Sequence, residues 1–280
     1  MAPKFIRSFE RRLSKHFPVR PLLYGRRFHA YCIGSAKSGT HSLSGIFERR
    51  YHAAHEPEFA HVIELIMGLR QGNKNDSEIR ETLLRRDRRL YLEIESSQLC
   101  FFLLDEFLES FPDAKFILTI RDCYSWLDSI LNNHLSRGIP KPWDQIITLR
   151  HGSPDFRHSP HARVLEENGF FPLEGYLSYW ERHNLTVLKK VPPDRLLVLR
   201  TDRIGSELDR VAGFLRIPAS SLDDGRAHLF RAPAKYGFLQ QIDRDFLEDT
   251  VDRFGRHLML KYFPEIRNAD DLIRSNPENR

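Results

Sequence analysis

Phe28-His-Ala-Tyr-Cys-Ile33, running directly into Gly34-Ser-Ala-Lys-Ser-Gly-Thr-His-Ser42, decides how this chain is read. A short, mostly apolar run that breaks at a glycine and resumes as a helix over Thr40 to Arg50 has the form strand, turn, helix. Backbone N–H groups in such a turn, together with the positive end of the helix, wrap an anion. A Walker loop puts its lysine directly after the second glycine and a hydroxyl residue behind it to hold Mg²⁺. Here Lys37 lies between Gly34 and Gly39, and Thr40 follows Gly39. The loop therefore suits an oligoanion but lacks the metal-holding Lys-Ser/Thr pair of ATP-binding loops.

Outward from the loop, strand-like and helix-like segments alternate. Leu90 to Ile94 reads as a strand and Leu99 to Phe111 as an amphipathic helix. Lys115 to Ile120 (KFILTI) is an almost wholly apolar run ending at Arg121, as a buried parallel strand should be. A helix follows over about Tyr124 to Leu135, another over Leu173 to Lys190, then a break at Pro192-Pro193 and a strand over Arg195 to Leu199. This order implies a three-layer α/β fold with a central parallel sheet. Residues 135–170 depart from the rhythm, carrying Pro140, Pro142, Pro154, Pro160 and His134, His151, His158, His161, and read as a substrate-facing insertion. The histidine spacing matches no compact metal-ligand motif, so no metal site is expected.

The loop and the segment Arg121-Asp-Cys-Tyr-Ser-Trp-Leu-Asp-Ser129 together resemble sulfotransferases that use 3′-phosphoadenosine 5′-phosphosulfate (PAPS), in the carbohydrate-type and bacterial members more than in the cytosolic phenol enzymes. The resemblance implies that Ser35, Lys37, Ser38, Gly39, Thr40, His41 and Ser42 hold the 5′-phosphosulfate, with Lys37 bridging the phosphate and the leaving oxygen. It also implies that Arg121 and Ser129 grip the 3′-phosphate, which suits a bidentate guanidinium at the carboxyl end of a strand. The family commonly has Asn-Pro or Asp-Pro after this arginine; here the residues are Asp122-Cys123. A lid near the C-terminus supplies further basic residues in the family, for which Arg231 and Lys235 are the candidates by position. The late segments Arg195 to Asp202 and Val211 to Pro218 also fit the family, so the likeness covers most of residues 28–265 outside the insertion.

Sulfonate transfer to a hydroxyl needs in-line geometry, stabilisation of the leaving oxygen and a base for the acceptor proton. After the loop helix comes His52-Ala-Ala-His-Glu-Pro-Glu-Phe-Ala-His61. Its Glu-Pro followed by His-Val resembles carbohydrate sulfotransferases, where a glutamate in this place is the proposed base, and this implies Glu56. His55 competes, since imidazole titrates near neutrality. Glu93 and Glu95, two apart in Tyr91-Leu-Glu-Ile-Glu95, share a strand face and either shape an acceptor pocket or offer another base.

Composition narrows the alternatives. The chain has 280 residues, enough for one substantial core, and is read as a single domain over residues 28–265 with a polar tail at 266–280. Its net charge of +5 is uneven: residues 1–30 hold eight Lys or Arg against Glu10, leaving the rest slightly acidic. Nucleic-acid binding by the body of the protein is thus disfavoured. Residues 1–27 form a basic amphipathic segment, with Phe5, Ile6, Phe9, Leu13 and Phe17 at roughly helical spacing, and residues 1–20 are suited either to packing on the domain or to contact with a membrane surface. No long apolar run or signal peptide is visible, and Cys32, Cys100 and Cys123 show no paired spacing, which points to a cytoplasmic protein without a disulfide framework. Two other readings stay open: an atypical P-loop kinase or nucleotide hydrolase, and a non-catalytic PAPS-fold adaptor at membranes.

Overall fold

The computed structural model describes residues 25–226 and 235–271. Five parallel strands form one sheet in the order β2-β3-β1-β4-β5. They are β1 (Ala30–Cys32), β2 (Ala53–His55), β3 (Ile94–Ser96), β4 (Lys115–Ile120) and β5 (Leu196–Arg200). Strand β1 sits centrally, with Ala30 opposite Ile94 of β3 on one side and Lys115 of β4 on the other. From β1 the chain crosses to the edge strand β2, comes back to β3 beside β1, and then builds β4 and β5 on the opposite side. The crevice between the carboxyl ends of β1 and β4 is therefore the point where such sheets bind ligands.

Side-chain alternation distributes the core between two faces. From β1 and the residue after it, Tyr31 and Ile33 enter one apolar cluster, while Ala30 and Cys32 enter the other. The smaller cluster is covered by α1 (Thr40–Phe47), through Leu43, Ile46 and Phe47, and by α9 (Leu208–Leu215), through Val211 and Leu215. The larger is covered by α2 (Phe59–Arg70), α3 (Asp76–Leu90), α4 (Leu104–Ser110), α5 (Cys123–Arg137) and α8 (Leu173–Lys190). Helices α6 (Trp143–His151) and α7 (Arg163–Glu167) precede α8, while α10 (Phe238–Gln241), α11 (Arg244–Phe254) and α12 (Arg256–Tyr262) close the described chain. The three-layer α/β architecture expected from the sequence is the one observed.

Several elements differ from expectation. The strand expected over Leu90 to Ile94 begins only at Ile94, because α3 continues to Leu90 and ends at Tyr91 in the left-handed region (φ 45°). The helix expected from Leu99 opens as a 3₁₀ segment, Gln98–Leu103, capped by the Ser97 side chain. The irregular stretch at 135–170 contains α6 and α7, and α6 meets α8 so closely that a Cβ on Gly175 would lie 2.4 Å from the His151 carbonyl. Residues 1–20 with their expected membrane contact, and Arg231, lie outside the described residues. Arg26 and Arg27 are described and are ion-paired to Asp87 and Glu93, and the Ala269 N–H donates to Glu248. Among the described residues no helix is long and apolar enough to cross a membrane.

Candidate active site

The loop after β1 is held by its carbonyl groups. His183 of α8 donates from Nε2 to the Ile33 oxygen (2.9 Å), Ser38 Oγ to Ser35 (2.7 Å), Trp126 Nε1 to Ala36 (2.8 Å), Arg121 Nη1 to Lys37 (3.3 Å) and Thr201 Oγ1 to Ser38 (2.6 Å). A planar trans peptide points its N–H opposite to its C=O. Tying down these oxygens therefore aims the N–H groups of Lys37 and Gly39 away from the scaffold, as an anion-binding turn requires. Lys37 and Gly39 both take left-handed backbone (φ 63° and 94°), and Gly39 is the N-cap of α1. Glycine bears this without penalty, whereas at Lys37 it costs on the order of 1–2 kcal/mol. Gly34 is needed for another reason: a Cβ there would lie 1.9 Å from Thr119 Oγ1 and 2.8 Å from the Thr119 carbonyl.

Arg121 meets Lys37 at the loop, and a third cation, Arg137, is near enough for its charge to act on Lys37. Arg121, at the end of β4, donates from Nε to Ser125 Oγ (2.8 Å), and burial pushes its pKa below the usual guanidinium value. Lys37 reaches Asn133 Oδ1 of α5 at 3.3 Å. Burial, then the charges of Arg121 and Arg137, lower its pKa to about 8. Ser129 lies on the buried face of α5. Ser125 and Asn133 did not stand out in the sequence, although Ser125 is four residues from Arg121 and faces it across the first turn. The departure at Asp122-Cys123 has a local cause. Asp122 caps α5 by accepting the Ser125 N–H (2.8 Å), and the Cys123 N–H donates to Met259 Sδ (3.3 Å), a contact that proline could not make. Tyr236 N–H donates to Asn132 Oδ1 (2.8 Å), which brings exposed Lys235 beside α5.

The candidate bases stand across α1 from these cations. His55, at the end of β2, bonds Thr40 Oγ1 through Nε2 (3.3 Å), and its ring lies 4.7 Å from that of His41. Burial, and to a lesser extent His41, lowers its pKa to about 4, so it is neutral at pH 7. Glu56 follows in left-handed backbone (φ 46°), its N–H held by the Ser96 carbonyl at 3.0 Å. Its carboxylate accepts from Gln98 Nε2 (2.5 Å) and lies 4.0 Å from His55. Burial raises its pKa above the ordinary carboxylate value, with Gln98 and Arg150 opposing. The side chain keeps 15% exposure, so it remains reachable.

Glu93 and Glu95 are engaged elsewhere. Glu93 pairs with Arg27 (2.6 Å) and accepts the His52 N–H, while Glu95 forms a buried two-point ion pair with Arg86 (2.6 and 2.9 Å). These contacts do not favour either as a base. Arg86 also donates to the Pro57 carbonyl (2.7 Å) and approaches Glu58, itself gripped by Arg89. Glu95 thus braces the Glu56-Pro57-Glu58 turn through Arg86, which lies 29 positions from Pro57, a link that no local motif announces.

The insertion closes over the same turn, since Trp143 of α6 stacks on Phe59 of α2 (centroids 5.4 Å apart, planes 18°). His134 and His151 lie 6.5 Å apart, whereas His161 stacks on Phe246. Among the described residues no group of three or more His, Cys, Asp or Glu is arranged to hold a metal ion.

Comparison with known proteins places the chain in a family. Over 114 residues the chain is 30% identical to Ava biosynthesis cluster protein M of Aspergillus versicolor; the match covers 38% of this chain and 44% of that protein, so the chain spans under half the relative's length. A sulfotransferase from Alicyclobacillus acidocaldarius superposes with a TM-score of 0.46 at 13% identity, covering 82% of this chain and 95% of its own. Sulfotransferase STF9 from Mycobacterium avium gives 0.47 at 12% identity, covering 91% and 81%. Residues 31–220, which contain the loop, Arg121 and Glu56, match the Sulfotransferase domain, and the chain belongs to the sulfotransferase family.

Proposed function

We propose that the protein transfers a sulfonate group from PAPS to a hydroxyl of a small-molecule, sugar or lipid-like acceptor. The observation that carries the reading is the loop with its carbonyls pinned to the scaffold, Lys37 at its tip and Arg121 bonded to the Lys37 carbonyl. PAPS supplies an activated sulfur–oxygen bond. The N–H groups of residues 35–42 and the start of α1 hold the phosphosulfate, while Arg121 and Ser129, with Arg231 and Lys235, hold the 3′-phosphate. Lys37 neutralises the donor oxygen as its bond to sulfur breaks and the acceptor oxygen bonds to sulfur. Glu56 takes the acceptor proton; His55, neutral and 4.0 Å away, is its competitor. The donor departs as 3′-phosphoadenosine 5′-phosphate, and no metal has a part.

Calorimetry with 3′-phosphoadenosine 5′-phosphate and AMP tests this. A charge-assisted phosphate contact contributes about 1.5–3 kcal/mol, or roughly 10- to 150-fold in affinity. The 3′-phosphorylated nucleotide is expected to bind more tightly by that factor, and Arg121→Ala to remove the preference. Equal affinity in the wild type defeats the reading. Glu56→Gln is expected to slow transfer with nucleotide affinity unchanged; full turnover moves the base to His55.

A further inference from the structure

Arg150 of α6 is a buried guanidinium, 5% exposed, and neither Nε nor Nη2 has a hydrogen-bond partner. No carboxylate among the described residues lies within ion-pair distance of it. The guanidinium is flanked by the rings of Phe102 (5.8 Å) and Tyr179 (5.7 Å). Leaving a buried charge without a counter-ion carries a large desolvation cost. Nε–H and Nη2–H point in parallel along one edge of the guanidinium, the fork that a carboxylate fills with its two oxygens.

The location ties this fork to the acceptor side. Arg150's charge is felt by Glu56, and by His134, which also feels Lys37. Gln98, which holds Glu56 through Nε2, has its own Oε1 buried without a partner. The surrounding imidazoles of His134, His151 and His183 are all kept neutral by burial, so they add no second positive charge beside Arg150, and none of them can act as its counter-anion.

We propose that the acceptor bears a carboxylate as well as its hydroxyl, and that the Nε/Nη2 edge of Arg150 binds that carboxylate. This rests on the sulfotransferase reading for the word acceptor. Both nitrogens are closed to solvent, so the carboxylate enters as α6 moves relative to the β2–α2 turn, and Phe59 stacked on Trp143 joins the two. Once paired, Arg150 no longer stabilises the Glu56 carboxylate. Glu56 then holds a proton more tightly, so the base strengthens as the acceptor arrives.

The test uses the full chain saturated with 3′-phosphoadenosine 5′-phosphate and titrated calorimetrically with benzoate or benzamide. Benzoate is expected to bind at least tenfold more tightly than benzamide. Arg150→Gln should abolish that preference and leave nucleotide affinity intact. Arg150→Lys, which keeps the charge but not the fork, should lose most of it. Absence of a preference in the wild type, or its full survival in either variant, overturns the proposal. Loss of nucleotide binding in the wild type would instead defeat the function proposed above, and the benzoate comparison would still be read on the nucleotide-free chain.

Discussion

Gly34→Ala is the sharpest probe of the loop, because its effect is steric and not conformational. The added methyl would sit 1.9 Å from Thr119 Oγ1, 2.5 Å from Ser38 Oγ and 2.8 Å from the Thr119 carbonyl. Thr119 is completely buried in β4, so neither its side chain nor its backbone has room to retreat. Overpacking of this severity costs about 3 kcal/mol. Disturbing the Ser38–Thr119 hydrogen bond (2.9 Å) adds about 1 kcal/mol. The smaller entropy of the unfolded alanine chain returns about 0.5–1 kcal/mol, leaving a net loss near 3 kcal/mol. Urea unfolding measures it, with Gly213→Ala in α9 as the reference, since nothing lies within 4 Å of a Cβ there. Thr119→Ala removes the worst overlap but not the carbonyl contact. The cost of Gly34→Ala in that background should therefore fall by at least about 1 kcal/mol, a coupling that a double-mutant cycle reads directly. Nucleotide affinity should fall in the single variant as the loop is displaced. Stability within about 0.5 kcal/mol of wild type, with unchanged nucleotide affinity, would refute this account of why the loop starts with glycine.

The lowered pKa of Lys37, about 8, gives nucleotide binding a pH dependence. Phosphate favours the ammonium form, so affinity for 3′-phosphoadenosine 5′-phosphate should be constant below pH 8 and decline above it; Lys37→Arg, which stays charged, should flatten the profile. Glu95→Gln should cost about 3 kcal/mol in urea unfolding, the low end for breaking a buried pair, because it leaves buried Arg86 only the partly exposed Glu58 at 3.4 Å as counter-charge. It should also slow transfer through the slackened Glu56 turn while nucleotide affinity holds, and a stability change under about 1 kcal/mol would count against the brace.

What the sequence made legible was local. KFILTI is β4 at both ends, since a buried parallel strand needs apolar residues throughout and stops where Arg121 must emerge. Leu173–Lys190 is likewise α8, bounded by Pro172 and by the Pro192-Pro193 break. Helix α3 escaped notice because only Ile79, Leu83 and Arg86 of its fifteen residues are buried, leaving almost no apolar stripe. The edge strand β2 is Ala-Ala-His, without the branched or aromatic residues that mark strands. Within the site, the glycine spacing and Arg121 were visible because each contact sits in its own segment. Asn133, Arg86 and Arg150 act across folded distance, and nothing in their neighbours' identity reveals it.

The pinned carbonyls also set an order of assembly. Arg121 and Trp126 reach the loop from 84 and 90 residues downstream, His183 and Thr201 from 150 and 163. During synthesis the loop leaves the ribosome long before the side chains that shape it, so a chain interrupted short of Thr201 would carry every glycine of the motif and hold anions poorly. On the proposed function, nucleotide affinity would thus report completed folding. A nucleotide at a hundred times its dissociation constant would add about 2.7 kcal/mol to the stability of the whole domain, rewarding finished molecules over partial ones.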